Sequence, residues 1–133
     1  LVEYEAGIYT GDAHLEQWPQ TLERLRELKP RALVPGRGPA LTTPAAAEKA
    51  IRYTQEFVRG LYQAAQEGVR EGKSLKDVYS LVRSRMDPTY GKYPIYEHCL
   101  PFDVSRAYDE ASGIKHPRIW TARRDIEMWK SIA

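Results

Sequence analysis

The run Leu33-Val34-Pro35-Gly36-Arg37-Gly38-Pro39 constrains this chain more than any other stretch. A short apolar segment ends abruptly in Pro-Gly-x-Gly-Pro. Glycine lets the backbone turn where a side chain would clash. Proline ends sheet pairing because it brings no N–H. Such a loop presents one side chain at the edge of a sheet, and here that side chain is Arg37.

The residues before the loop follow a strand–helix–strand pattern. Val2, Tyr4, Ile8 and Tyr9 are β-formers with Glu3 and Glu5 between them, which predicts a half-exposed strand over 2–9. Thr10-Gly11-Asp12 predicts a turn, with Asp12 as a helix N-cap. Leu15, Trp18, Leu22, Leu25 and Leu28 then form one helical stripe. Pro19 places the start of the regular helix near Trp18, with a looser turn before it. Lys29-Pro30 closes the helix, and residues 31–35 are predicted as a second strand. Two strands joined by a helix make a crossover unit if both lie in one sheet.

The remainder is helical in pattern. Thr43-Pro44 is a cap followed by proline at the first helical position, and a long helix runs from there to about Gly72. Ala47, Ile51, Thr54, Val58, Leu61, Ala65 and Gly68 fall on its buried stripe. Ser74 and Asp77 have capping-box spacing for a second helix, which Asp87-Pro88 is expected to stop. Residues 89–97, with Tyr90, Tyr93 and Tyr96, are expected as an aromatic loop. A third helix is predicted from Phe102 to Ala111, with Pro101 and Asp103 at its start and Gly113 at its end. The tail carries Trp120 and Trp129 and is expected to dock on the body.

Of the 133 residues, 42% are apolar and 29% charged, and the net charge is +2, with both signs interspersed. That balance argues against a nucleic-acid surface. No apolar run has the length of a membrane span, so neither nucleic acid nor membrane is an expected partner. A lone cysteine, Cys99, cannot form an internal disulfide and fits a reducing, cytoplasmic setting. The chain opens on Leu1 inside a strand pattern, so it reads as a segment of a longer protein.

The leucine–tryptophan helix stripe joined to Leu33-Val34-Pro35-Gly36-Arg37-Gly38-Pro39 resembles the C-terminal part of metallo-β-lactamase-fold hydrolases. In that family a similar helix leads into a strand ending P-G-H-G-P. The stretch Asp103-Val104-Ser105-Arg106-Ala107-Tyr108 is similar to the helical extension of many members. The resemblance implies an α/β class. Residues 1–41 would be a second-half piece of an α/β/β/α sandwich, and residues 42–133 a mainly helical C-terminal extension. It also implies zinc or another divalent metal in the whole protein, where metal-activated water would hydrolyse an ester, thioester or amide.

The family's H-x-H-x-D-H motif is absent here, since His14, His98 and His116 are far apart in sequence. No catalytic residue is therefore assigned to this chain, and it should be inactive alone. Arg37 stands where the family has a metal-binding histidine. A guanidinium has no free lone pair and stays protonated, so it cannot ligate a metal. Arg37 is instead a candidate for an anionic substrate group, or a structural partner of a carboxylate. Tyr93 and Tyr96 are further candidate substrate contacts. Asp12 and His14 are candidate metal ligands, Asp12 alternatively a simple cap. Expected partners are the N-terminal half of the same protein, a small-molecule substrate and a second copy through the helical extension. The alternative reading is a non-catalytic binding or oligomerisation domain of a family member that has lost its second metal site. A third is a self-contained α-helical domain with a small two-strand start, unrelated to the family.

Overall fold

The computed structural model describes all residues, Leu1–Ala133. It contains five helices: α1 (Trp18–Glu27), α2 (Pro44–Arg70), α3 (Leu75–Tyr90), α4 (Tyr96–Ala111) and α5 (Ala122–Ile132). The long α2 packs against α1, α3 and α4, and α5 lies on α3 and α4. The predicted α2 stripe is buried in full, and Phe57 joins it. At Gly68 the α2 and α3 surfaces come so close that a Cβ would meet Val78 Cγ2 at 2.5 Å. The main core joins Phe57, Val58 and Leu61 of α2 to Val78 and Val82 of α3 and Leu100 and Val104 of α4, with Ile8 and Leu15 against them. No helix is long and apolar enough to cross a membrane.

The α/β expectation fails. Residues 2–9 and 31–35 form no sheet, and the only strand-like pairing is an isolated antiparallel bridge between Leu33 and Leu41. The chain is all-helical, so the α/β/β/α sandwich piece with strand–helix–strand order is overturned. The physical reason lies in where the backbone groups of 3–10 find partners. Glu3 N–H donates to Thr54 Oγ1 at 3.0 Å, and that hydroxyl donates to Glu3 O at 2.9 Å. Tyr53 O–H donates to Ala6 O, and Gly7 N–H to Pro94 O. Thr10 N–H donates to Asp103 Oδ1 at 2.6 Å. A β-rich sequence thus lies extended over α2 and α4, held largely by side chains rather than by a ladder.

The caps of α2 and α3 form as expected. Thr43 accepts from Ala46 N–H, and Ser74 and Asp77 make a capping box. Two helix limits differ from expectation. α3 runs through Pro88 to Tyr90, and α4 begins at Tyr96, with Pro101 inside it rather than before it. Proline costs a helix one hydrogen bond and strains the preceding turn. Here the helical turn before Pro101 seats Tyr96, Cys99 and Leu100 in the interior, which outweighs that loss. The residues once expected as a long aromatic loop shrink to the connection 91–95, where Ile95 takes a left-handed backbone at φ 59°. Gly113, at φ 96°, ends α4, as expected.

Candidate functional site

Arg37 sits on the surface but is not free. Its Nη1 donates to Glu3 Oε1 at 2.9 Å. The arginine side chain is 46% exposed, whereas that of Glu3 is 1% exposed. The second carboxylate oxygen, Glu3 Oε2, has no hydrogen-bond partner. Gly36 is required for this approach, because a Cβ there would lie 2.4 Å from Glu3 Oε1. Gly38 adopts φ 92°, a conformation suited to glycine. The Pro-Gly-x-Gly-Pro loop therefore turns as the sequence suggests, and the residue it presents neutralises a buried acid. Glu3 was not a candidate from sequence; its one signal is an acid interleaved among β-formers at the start of the chain.

Arg37→Ala is expected to cost about 2 kcal/mol, because it leaves a desolvated carboxylate without its cation. Adding Glu3→Gln should recover part of that loss. Urea unfolding of the single and double variants measures both, and purely additive losses would show that the pair is uncoupled.

A second acid is buried on α4. Asp103 is fully buried, accepts from Thr10 N–H and from Thr10 Oγ1 at 3.0 Å, and leaves Oδ2 without a partner. Burial raises its pKa well above the ordinary 3.8, and the two Thr10 donors only partly oppose that. Four residues earlier on α4, the Cys99 thiol is pushed up to about 11, first by burial and then by the Asp103 charge. It is held as a neutral thiol rather than a nucleophile.

The raised Asp103 pKa has a defined sign for stability. The folded state binds this proton more tightly than the unfolded state. Its contribution is complete below the unfolded value and is lost as pH rises through the folded value. Asp103→Asn removes the titration. As the pH rises above the ordinary carboxylate range, the wild-type melting temperature should fall relative to that of the variant. Parallel curves above that range would refute this.

The other sequence candidates are scattered. Asp12 is exposed and caps nothing: the residue before α1 is Gln17, and no side chain caps that helix. The N–H groups of Leu15 and Glu16 are taken instead by Glu110, from α4. The Tyr9 phenol is pushed up to about 12 by burial and then by the nearby Asp12 carboxylate. His14 is exposed and lies edge-to-face with His116, ring centroids 5.9 Å apart. Sequence spacing gave no sign of that pair. No group of three or more His, Cys, Asp or Glu side chains is placed to hold a metal. With no sheet, the expectation of a metallo-β-lactamase fold is overturned for this chain, and Asp12 and His14 are not part of any such group.

The candidate tyrosines part: Tyr93 borders a small cleft of about 290 Å³ with Tyr4 and Tyr53, whereas Tyr96 lies in the interior. Tyr96 is buried, and its O–H donates to Asp87 Oδ1 at 2.8 Å; burial drives its pKa upward. Tyr93 is half-buried, edge-to-face with Tyr53 at 5.7 Å, and Tyr90 packs on Phe57 at 5.0 Å. The two tryptophans differ. Trp120 lies 4.9 Å from Phe102 and donates to Gly11 O, with Arg124 stacked 3.7 Å over its ring. Trp129 remains 48% exposed.

The largest concave feature is elsewhere. It is an open groove of about 880 Å³ between α1 and the extended segment 30–34. Trp18, Leu22, Leu25 and Leu28 line one side, and Ala32, Leu33 and Val34 the other. The α1 stripe predicted from sequence is thus divided. Leu15 and Leu22 are buried, while Leu28 is 75% exposed and Val34, across the groove, 80% exposed. Among the lining side chains Arg24 is the only permanent charge, and there is no carboxylate. The sequence matches no known protein family, and no curated protein is similar enough to count as a relative.

Proposed function

We propose that this chain is a non-catalytic docking segment of a metal-dependent hydrolase whose catalytic groups lie outside these 133 residues of the same protein. The open apolar groove supports this most directly. Covering Leu28 and Val34 would contribute roughly 1.5–3 kcal/mol per side chain, a gain left unused while the groove faces water. The resemblance of the α1 stripe and the Pro35–Pro39 loop to metallo-β-lactamase-superfamily hydrolases supports the nature of that protein. There, metal-activated water would cleave an ester, thioester or amide. This chain's own residues do not fit a metal centre, and no chemical step is assigned to them.

The Arg37–Glu3 pair favours a second reading, in which the parent has lost one metal site and this segment serves binding or assembly alone. Metal content separates the two. The full product of the encoding gene, purified after metal-replete expression, should carry zinc, iron or manganese and hydrolyse a nitrophenyl ester, thioester or lactam. A metal-free, inactive product overturns the hydrolase and leaves the binding domain. Hydrolysis by this chain alone with added metal would overturn both.

A further inference from the structure

We propose that the groove accepts an extended polypeptide strand that pairs with the backbone of residues 31–34 and is flanked by acidic side chains. This rests on reading the groove as a docking face, and it names the occupant. Leu33 and Leu41 exchange both their backbone hydrogen bonds, Leu33 N–H to Leu41 O at 2.8 Å and Leu41 N–H to Leu33 O at 2.7 Å. In such a pair the neighbouring residues turn their own N–H and C=O to the opposite edge. Those neighbours are Ala32 and Val34, and neither makes a backbone or side-chain hydrogen bond within the chain. Both also line the groove. Pro30 and Pro35, which lack N–H groups, bound this open edge on either side.

The groove therefore offers unpaired backbone donors and acceptors beside an apolar trough. A docking helix would bury them unsatisfied, because its own backbone groups are already used. An added strand satisfies them and places alternate side chains on the apolar surface. Charge selects further. Arg24 lines the groove, Arg31 lies exposed between its lining residues Pro30 and Ala32, and neither makes an ion pair. A second copy would set these cations against their own kind, whereas acidic flanks complement them.

The test uses this chain with three blocked synthetic peptides, read by fluorescence anisotropy and by hydrogen exchange of the Ala32 and Val34 amides. The first alternates glutamate and valine. It should bind and slow exchange at both amides. The second has the same side chains but N-methylated backbone amides at alternate positions. It should bind at least about tenfold more weakly, since the edge hydrogen bonds are gone. The third replaces glutamate with lysine and should not bind. Leu28→Glu, at an exposed position, should leave folding intact and weaken the first peptide.

Equal binding of the first two peptides would overturn strand pairing and leave an apolar docking face. Equal binding of the lysine peptide would overturn the acidic occupant. If the first peptide neither binds nor protects the edge, the strand proposal is overturned. The docking reading then falls as well only if the apolar dye anilinonaphthalene sulfonate also ignores the groove in wild type and Leu28→Glu alike.

Discussion

Arg106→Ala is expected to lower stability by about 3–5 kcal/mol, the largest loss of any single side chain considered, because it breaks a buried ion pair and orphans several acceptors at once. The guanidinium is completely buried. Its Nε donates to Ala13 O at 2.7 Å, Nη1 to Ile114 O at 2.8 Å, and Nη2 to Glu110 Oε2 at 2.7 Å and Lys115 O at 2.8 Å. Glu110 in turn accepts from the N–H groups of Leu15 and Glu16. One side chain on α4 thus ties the turn before α1 to the start of the C-terminal tail. Chemical denaturation should show the loss as a lower midpoint. The transition should also broaden, because the tail then detaches before the helical body unfolds. Arg106→Lys should rescue little, since an ammonium cannot reach four acceptors in a planar fan. A loss below about 1 kcal/mol would mean that the network is replaced by water at no cost.

Gly7→Ala is the second large effect, with an expected loss of about 3 kcal/mol, at the upper end for overpacking. The added Cβ would lie 2.6 Å from both Tyr96 N and Tyr96 Cα and 2.8 Å from Ile95 C. These are backbone atoms, so no rotamer change relieves the clash. The position is also pinned by the Gly7 N–H bond to Pro94 O at 2.8 Å. Moving the 5–8 stretch away would break that bond and lift Ile8 out of the main core. Gly60→Ala is the control, because nothing lies within 4 Å of a Cβ there. It should be neutral or slightly stabilising in a helix interior. Thermal unfolding of the two variants side by side decides the point, and equal melting temperatures would refute it.

Much of the helical body is legible in the order of residues. The stripe from Ala47 to Gly68 is buried where its period requires, and Thr43, Ser74 and Gly113 act where their chemistry places them. These are local properties: a helix closes its own hydrogen bonds, so its signals lie within a few residues of one another. The start of α4 was not legible. Pro101 is a strong local stop signal, and only the burial of Tyr96, Cys99 and Leu100 overrides it. The candidate site shows the same divide. The turn at Pro35–Pro39 is written in its glycines and prolines. The partner of Arg37, by contrast, is Glu3, 34 positions away in the chain.

By itself, then, the sequence determined α2 and its cap, the capping box of α3, the apolar stripe of α1 and the sharp turn that carries Arg37. Tertiary structure alone decided what became of the two β-rich segments. A strand is not a local object, because its backbone groups must be met by another chain segment. Residues 2–10 are met largely by Thr54, Tyr53 and Asp103 side chains and lie flat on the helices. Residues 31–34 are met on one edge only, by Leu41, and their other edge opens onto the groove. The difference between a covered edge and an open one exists only once the helices have packed.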